Sequence, residues 1–581
     1  MAIDLTLKIG GEGGEGVISS GDFLMQAAAL AGMEVVTFKS FPSEIKGGYA
    51  LAQLRFSDEH ILSQGDGFNI LVAFNGEAYA VNKELLKPGT VLVYDSGEEA
   101  DFEPEELPGV TMYPVPMSGI AKKELNAYIV KNMVALGAVS ELFKIPMDSL
   151  KKSIDKKFGK KGQEIVDLNY KALEYGANHV KNNLKKTDPY IFPKARPKKD
   201  VLIIEGNQAI SLGAAMAGCR YYGAYPITPA TTVGNYLAND ILGLGGFVYQ
   251  SEDEISALGT CLGASFVGEK VLTATSGPGV SLMSELIGLA VMAELPLVIA
   301  NVQRGGPSTG MPTKHDQADL YQAVFGTHGD APKIVLAPAN VKENIYLTID
   351  AFNLAEKYQT PVFVLSDASL ALRVEAIDRP DMSKIEIVNR EIAKINNNSG
   401  NSFSRYLNTK SGVSPMGIPG LKGTSYAATG LEHAENSGPR TNPQTRVTMT
   451  EKRWRKFDNI ENEYTPVKKI GVENAEVGVI TWGLTQSIAH EAVERLLAKG
   501  FKVSMLFPKM VWPLPVKAIT NYIKSVKKVL IPEANFQGQF AQIIKSHIDF
   551  GKTELIKHNI YRGEPFIPLE IEEKIKEIYP S

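Results

Sequence analysis

The chain has 581 residues, 44% of them hydrophobic, which is too long for one core and predicts about three or four domains. Its 61 basic and 65 acidic residues leave a net charge of −4, which argues against a nucleic-acid-binding or membrane-surface protein. We therefore expect small-molecule or protein partners, and neither nucleic acid nor membrane.

Few metal ligands are available. The two cysteines, Cys219 and Cys261, lie in apolar helical sequence and are expected to be buried free thiols. They cannot hold a four-thiolate iron–sulfur cluster, and the eight scattered histidines form no HExxH motif. We expect no metal site in this chain, so a redox metal required by its reaction must come from another chain.

The N-terminus is not typical of a secreted or membrane protein. Residues 1–8 show no basic segment followed by an apolar one. The longest apolar run, residues 287–302, is interrupted by Glu294 and Pro296, whereas a membrane span needs about 20 apolar residues. These features predict a cytoplasmic protein.

The first predicted domain, residues 1–185, begins with a β-α-β pattern at residues 5–9, 17–31 and 34–38. The connecting turn contains the GxGxxG sequence of a dinucleotide site. Such a site needs an acidic residue at the end of the second strand, where this chain has Lys39 and Ser40. The pattern argues against NAD(P), although these glycines could let a backbone approach a phosphate or another subunit.

Two further turns of this domain have alternative interpretations. Gly65-Asp66-Gly67 is similar to the start of a thiamine diphosphate metal motif, but no Asn-containing turn follows, which favours an ordinary tight turn. Lys46 lies beside two glycines. It is either a solvated charge or a group that reaches an anionic ligand.

The rest of the chain predicts a linker, two α/β domains and an insertion between them. Residues 186–200 contain three prolines and predict the linker. Residues 201–382 predict a mainly parallel, doubly wound domain, with strands at 201–204, 270–274, 297–302, 333–336 and 361–365 and helices at 209–221, 231–238, 254–267 and 280–293. Residues 383–465 predict an irregular insertion, typical of a mobile segment or a lid, and residues 466–581 a final α/β domain.

Three motifs in the middle domain carry the functional prediction: the YPITP turn at 225–229, Glu254 at the head of a helix, and the SGPG turn at 276–279. Thiamine diphosphate needs a carboxyl group hydrogen-bonded to N1′ of its aminopyrimidine, because that contact favours the imino tautomer. The glycine turn follows a strand at the edge where ligands bind in parallel sheets. A lone Glu254 would be an ordinary helix-start charge, but the flanking motifs favour the cofactor role.

Longer motifs in this order resemble the alpha subunit of the 2-oxoacid:ferredoxin oxidoreductases, with a gamma-type domain fused in front. The motifs are GGEGGEGV (10–17), SEIKGG (43–48), GAYPITPATT (223–232), QSEDEISAL (250–258), TATSGPGVSLMSE (273–285), VQRGGPSTGMPT (302–313), ATGLEHAENSG (428–438), MTEKRWRK (449–456), FPKMVWPLP (507–515) and IPEANFQGQFA (531–541). The implied fold is multidomain α/β. It combines a gamma-type α/β domain, a pyrimidine-type thiamine diphosphate domain and a transketolase C-terminal-like domain.

The resemblance also implies roles for single residues. Glu254 would be the N1′ partner, and Thr228 would contact the reacting centre. Arg304 would face the carboxylate of the substrate, with a surface charge as the ordinary alternative. The implied catalytic set is Glu254, Thr228, Arg304, Thr309 and Lys46, and the implied cofactor-binding set is Tyr225, Pro226, Ile227, Thr228 and Glu254.

The implied reaction is CoA-dependent oxidative decarboxylation of a 2-oxoacid with reduction of ferredoxin, or the reverse. In the family, a beta subunit carries the diphosphate/Mg²⁺ motif and the [4Fe-4S] cluster, so thiamine diphosphate would be shared with it in a dimer of αβ heterodimers. Lys46 and Arg304 favour 2-oxoglutarate. Pyruvate or broad 2-oxoacid specificity, a non-catalytic assembly subunit, and a nicotinamide dehydrogenase remain as alternatives.

Overall fold

The computed structural model describes residues 4–42, 47–100, 102–192, 200–394, 403–464 and 467–580. It consists of two compact units, one formed by Met1–Ile204 with Leu372–Pro380 and the other by Glu205–Ala371 with Asp381–Ser581. Lys46 and residues 193–199 of the predicted linker lie outside the described residues.

The strands, numbered along the chain, are β1 Asp4–Glu12, β2 Glu34–Ser40, β3 Tyr49–Ser57, β4 Ile70–Ala73, β5 Val91–Asp95, β6 Thr111–Val115, β7 Val201–Glu205, β8 Tyr221–Ala224, β9 Phe247–Gln250, β10 Val271–Thr275, β11 Leu297–Gln303, β12 Ile334–Leu336, β13 Pro361–Asp367, β14 Val374–Asp378, β15 Val467–Gly471, β16 Val477–Ile480, β17 Val503–Pro508, β18 Met510–Trp512, β19 Lys528–Glu533 and β20 Glu554–Asn559.

The α-helices are α1 Val17–Leu30, α2 Gly76–Asn82, α3 Met117–Gly119, α4 Lys131–Phe143, α5 Met147–Phe158, α6 Gln163–Asn183, α7 Gly206–Met216, α8 Thr231–Leu242, α9 Glu254–Phe266, α10 Gly277–Met292, α11 Leu320–Phe325, α12 Val341–Tyr358, α13 Ala368–Leu372, α14 Pro443–Arg455, α15 Ile460–Glu463, α16 Leu484–Ala498, α17 Val516–Lys524, α18 Gln539–His547 and α19 Pro568–Ile578. Within the described ranges, none of these helices combines the length and the apolarity that a membrane crossing requires.

The first unit is built on an eight-stranded sheet of order β6-β5-β4-β1-β3-β2-β14-β7. Strands β1, β4, β5 and β6 run parallel, whereas β3 is antiparallel to both β1 and β2. Strand β14 comes from far along the chain and lies between β2 and β7. The sheet of this unit is therefore completed by a segment that follows the next domain in sequence.

The second unit contains two sheets. The central one has the order β18-β12-β13-β11-β10-β8-β9, in which only the β12–β18 pairing is antiparallel. The other has the order β15-β17-β16-β19-β20, with β15 antiparallel to β17 and the remaining pairs parallel. Buried side chains from both sheets form one continuous apolar core. The mixed α/β, multidomain fold class is as predicted.

The predictions for two elements were partly wrong. Residues 209–221 do not form one helix, because α7 ends at Met216 and Gly218, at φ 91°, turns the chain into β8 at Tyr221. Residues 10–12 extend β1 instead of forming a turn, since Gly10 and Gly11 pair with Leu51 and Ala50 of β3. Other boundaries differ from the prediction by a few residues.

Between β14 and β15, the described residues have little regular structure apart from α14 and α15, but buried charges hold them against the central sheet. Glu294, in the turn between α10 and β11, binds Lys452 at 2.7 Å and Lys456 at 2.7 Å. Its carbonyl accepts a 2.8 Å hydrogen bond from Arg405. These four side chains are all buried, and we call them the Glu294 clamp.

Candidate active site

The site residues lie at the carboxyl edge of the central sheet. Strands β8, β10 and β11 are parallel neighbours, so their carboxyl ends meet at one edge. The YPITP turn follows β8, the SGPG turn follows β10, and Arg304 directly follows β11. This edge therefore brings the two turns and Arg304 together.

Glu254 is the first residue of α9 and is 95% buried, with 5% of its surface exposed. Asp253 caps the helix by accepting a 2.7 Å hydrogen bond from the Ser256 backbone nitrogen, which fixes Glu254 in the first turn. In the described part of the chain, no residue donates a hydrogen bond to this carboxylate. A buried carboxyl group without a protein partner is suited to bind a ligand.

The SGPG turn is packed closely against Glu254. A Cβ on Gly279 would lie 2.9 Å from Cγ of Glu254 and 2.0 Å from Oγ1 of Thr275. Ser276 caps α10 with its backbone, and no described residue forms a hydrogen bond with its buried hydroxyl. Glycine is thus required at position 279 to leave space around the carboxylate.

Arg304 holds the YPITP turn and presents its remaining donors to the site. Its Nη1 donates a 2.6 Å hydrogen bond to the carbonyl oxygen of Thr228, and its buried Nε has no acceptor in the part of the chain that the structure describes. Burial lowers the pKa of Arg304, and the nearby charges of Asp319 and Glu254 oppose that shift. The free edge of the guanidinium is suited to bind a planar carboxylate.

Residues 305–314 form a loop that returns on itself beside Arg304. The Met311 backbone nitrogen donates to the Gly305 carbonyl at 2.8 Å. After the loop, the buried His315 places Nδ1 3.0 Å from a carboxylate oxygen of Asp367, at the end of β13. Thr309 lies exposed near the tip of this loop.

A cavity of about 770 Å³ opens between this edge and the C-terminal sheet. Gly277 and Arg304 line one side, and Asn535, Phe536 and Tyr561 line another. Such a volume is in the range of cavities that bind small-molecule substrates. The cavity extends the site beyond the three predicted motifs.

Sequence reasoning missed two carboxylates of this cavity, Asp316 and Asp319. Burial raises the pKa of Asp319 to about 6 and also raises the pKa of Asp316. Asp319 accepts a 3.1 Å hydrogen bond from Asn301 on β11. The sequence did contain a signal for them. Two acidic residues, three positions apart, stand directly before an apolar helical segment and shortly after Arg304.

The other predicted residues are placed as follows. Tyr225, Pro226 and Thr228 are exposed, and Ile227 is half-buried, in the turn after β8. Lys46 lies outside the described residues, so the structure does not test its role. Cys219 and Cys261 are buried free thiols as predicted, and burial raises the pKa of both to about 12.

Three family models match the chain. Residues 6–179 match a pyruvate ferredoxin/flavodoxin oxidoreductase domain, and residues 212–462 match the thiamine diphosphate-binding domain of pyruvate flavodoxin/ferredoxin oxidoreductases. Residues 475–562 match core domain II of pyruvate:ferredoxin oxidoreductase.

Individual relatives extend along the whole chain. The 2-oxoglutarate oxidoreductase subunit KorA of Mycobacterium tuberculosis is 32% identical, over 93% of this chain and 87% of its own. The 2-oxoacid:ferredoxin oxidoreductase 2 alpha subunit of Aeropyrum pernix is 29% identical over 99% and 98%. A solved structure, 2-oxoglutarate:ferredoxin oxidoreductase from Magnetococcus marinus with 2-oxoglutarate, coenzyme A and succinyl-CoA bound, is 47% identical over 99% of both chains, with a TM-score of 0.94.

Proposed function

The chain belongs to the 2-oxoacid:ferredoxin oxidoreductase family, as an alpha subunit with a fused gamma-type domain, and from this premise we propose its reaction and the roles of its residues. The reaction is CoA-dependent oxidative decarboxylation of a 2-oxoacid, 2-oxoglutarate in our proposal, to an acyl-CoA and CO₂ with reduction of ferredoxin. The same site serves the reverse carboxylation.

The observation that carries this proposal is Glu254. Bound thiamine diphosphate supplies a nucleophilic carbon and an electron sink. The carboxyl group of Glu254 is buried and has no hydrogen-bond donor among the described residues, and glycine at 279 leaves room beside it. Glu254 shares a proton with N1′ of the pyrimidine and so holds the cofactor in its reactive tautomer.

Thr228 and Arg304 bind the substrate in this proposal. Because Nη1 of Arg304 donates to the carbonyl of Thr228, the two residues hold each other at the edge of the site. Arg304 binds the substrate carboxylate with the guanidinium donors that remain beside its bond to Thr228. Thr309 adds a hydroxyl from the adjoining loop, and Tyr225, Pro226 and Ile227 pack against the pyrimidine. Lys46 binds the distal carboxylate of 2-oxoglutarate.

The site requires a second chain. The sequence has no diphosphate/Mg²⁺ motif and only two cysteines, both buried. We assign Mg²⁺ and a [4Fe-4S] cluster to a beta subunit that shares thiamine diphosphate and passes electrons to ferredoxin, in a cytoplasmic dimer of αβ heterodimers. Isothermal titration calorimetry tests this assignment. We expect the αβ complex to bind thiamine diphosphate tightly and this chain alone not to do so. Tight binding by this chain alone would contradict the assignment.

Glu254→Gln tests the catalytic role in the complex. We expect 2-oxoglutarate-dependent reduction of a redox dye to fall by about 10²–10⁴-fold, the usual contribution of a positioned acid or base. Glu252→Gln, two residues earlier and exposed, is the matched control and retains activity. Unchanged turnover in Glu254→Gln would exclude the assigned role and would favour a non-catalytic assembly subunit.

Substrate choice is tested by comparing kcat/KM for 2-oxoglutarate, 2-oxobutyrate and pyruvate. Lys46→Ala should selectively lower kcat/KM for 2-oxoglutarate, because only this substrate has a second carboxylate. An equal loss for all three substrates would mean that Lys46 does not bind the distal carboxylate.

A further inference from the structure

The cavity beside Arg304 has an unusual distribution of charge. Among the described residues that line it, only Arg304, Asp316 and Asp319 are charged. The opposite wall is formed by uncharged side chains that include Asn535 and Tyr561. Any proton that is released inside this cavity therefore has few groups to accept it.

Asp319 is a half-buried carboxylate directly before α11. Its Oδ2 accepts the 3.1 Å hydrogen bond from Asn301 Nδ2, and no described residue donates a hydrogen bond to Oδ1. Within the described ranges, no cation forms an ion pair with it, Arg304 included. A carboxylate without an ion-pair partner at a partly buried position destabilises a fold, which points to a functional reason for its presence.

The proposed reaction needs a base at this place. A thiol attacks an acyl carbon as its thiolate, so the thiol proton of CoA must be accepted within the site. Arg304 remains protonated and cannot accept it. Glu254 is occupied by the pyrimidine in the proposed function.

On the basis of the proposed function, we propose that Asp319 is the general base that accepts the proton from the thiol of CoA. In this step the S–H bond breaks, an O–H bond forms at Oδ1 of Asp319, and the electron pair stays on sulfur. No oxidant or reductant takes part. Asn301 donates to Oδ2 and thereby leaves Oδ1 as the oxygen that accepts the proton.

The charges around Asp319 suit a base that works near neutral pH. Burial raises its pKa to about 6, and the charge of Asp316 acts in the same direction, whereas Asn301 and Arg304 oppose the rise. Tyr561 is the other titratable group of the cavity lining, and α10 contributes no charged residue to it. Asp319 is thus ionised at pH 7.5, and acyl-CoA formation should slow as the pH falls through about 6.

The test uses Asp319→Asn in the complex of this chain with its beta subunit. Asn retains an oxygen for the contact with Asn301 but is a poor base. In rapid-quench single turnovers at pH 7.5, we expect acyl-CoA formation to slow by about 10²-fold and to lose its pH dependence near 6. Reduction of the complex by 2-oxoglutarate without CoA should stay within about twofold of the wild-type rate, since decarboxylation precedes the thiol step.

Asp330→Asn is the matched control, because it makes the same substitution at an exposed carboxylate that does not line this cavity. It should leave acyl-CoA formation nearly unchanged. If Asp319→Asn slowed reduction by 2-oxoglutarate and acyl-CoA formation equally, the proposal would be overturned. Asp319 would then be a residue that positions Arg304. A wild-type complex that 2-oxoglutarate does not reduce would instead contradict the proposed function.

A readout independent of turnover is the Tm of the isolated chain. Because the folded-state pKa of Asp319 is raised, its ionisation destabilises the fold as the pH rises through about 6. Asp319→Asn should therefore have a higher Tm than wild type at pH 7.5, with a smaller difference at pH 5. An equal or lower Tm at pH 7.5 would mean that Asp319 is not a strained carboxylate.

Discussion

Helix α10 and strand β11 lie beside polar groups at both of their ends, and these groups have different numbers of partners at the two ends. At the cavity end, no described residue forms an ion pair with Glu254 or Asp319, and none accepts a hydrogen bond from Nε of Arg304. At the other end, Glu294 is bound by two lysines, and its carbonyl is bound by Arg405. The polar groups beside the α10–β11 turn therefore have partners in the protein, whereas those beside the cavity have unused hydrogen-bonding capacity.

The difference distinguishes groups that stabilise the structure from groups that can bind a ligand. Burial opposes the ionisation of Glu294, but the charges of Lys456 and Lys452 outweigh it and hold the pKa of this carboxyl well below its ordinary value. No comparable cation offsets the burial of Asp319, so its pKa rises. Saturated groups fix a structure, whereas groups left without partners keep their hydrogen-bonding capacity for a ligand.

The largest expected effect is a loss of stability when the Glu294 carboxylate is removed. Glu294→Ala leaves two lysines buried without a counter-ion, so we expect the chain to lose about 3–5 kcal/mol of unfolding free energy. Urea denaturation of the isolated chain measures this loss. Glu473→Ala, which removes an exposed ion pair with Lys469, is the control and should have little effect. A stability loss no larger than that of the control would contradict the clamp.

At the cavity end, Gly279→Ala tests the space around Glu254. The added Cβ would lie 2.0 Å from Oγ1 of Thr275, so we expect a loss of about 1–3 kcal/mol in stability and weakened cofactor binding by the complex. Calorimetry and urea denaturation measure the two effects. Gly263→Ala, where a Cβ on α9 meets nothing within 4 Å, should instead stabilise the helix slightly. Undiminished cofactor binding in Gly279→Ala would show that Glu254 does not need this space.

A smaller effect is expected from Arg304→Lys. Lysine keeps the charge but cannot hold the Thr228 carbonyl and a carboxylate with one planar group, so KM for 2-oxoglutarate should rise about 10–100-fold. Steady-state kinetics of the complex give this value, with KM for CoA as the internal control. A parallel rise in both KM values would indicate a general disturbance of the cavity instead of a lost substrate contact.

Much of the site edge was predictable from sequence, since Gly/Pro-rich turns after apolar strands mark the carboxyl edge of a parallel sheet. Helix α9 starts at Glu254, as expected from the acidic residues before an apolar run. The edge strand β9 was missed because four residues give too short a pattern to separate from a loop.

The cavity and the clamp could not be predicted, because both depend on contacts that are distant in sequence. Asn535 and Tyr561 face Arg304 only after the C-terminal sheet has packed. Lys452 lies 158 residues from Glu294. Periodicity reports which face of an element is apolar, but it does not report which distant charges will meet.

The position of β14 has a consequence for synthesis of the chain. The edge of β2 is covered by a strand that begins at Val374, although the unit's preceding strand, β7, ends at Glu205. A ribosome adding about 5–20 residues per second needs on the order of 10–30 s to make the intervening chain. During that time the nascent first unit has an open strand edge, which is the kind of surface that chaperones protect and that pairs wrongly between neighbouring chains.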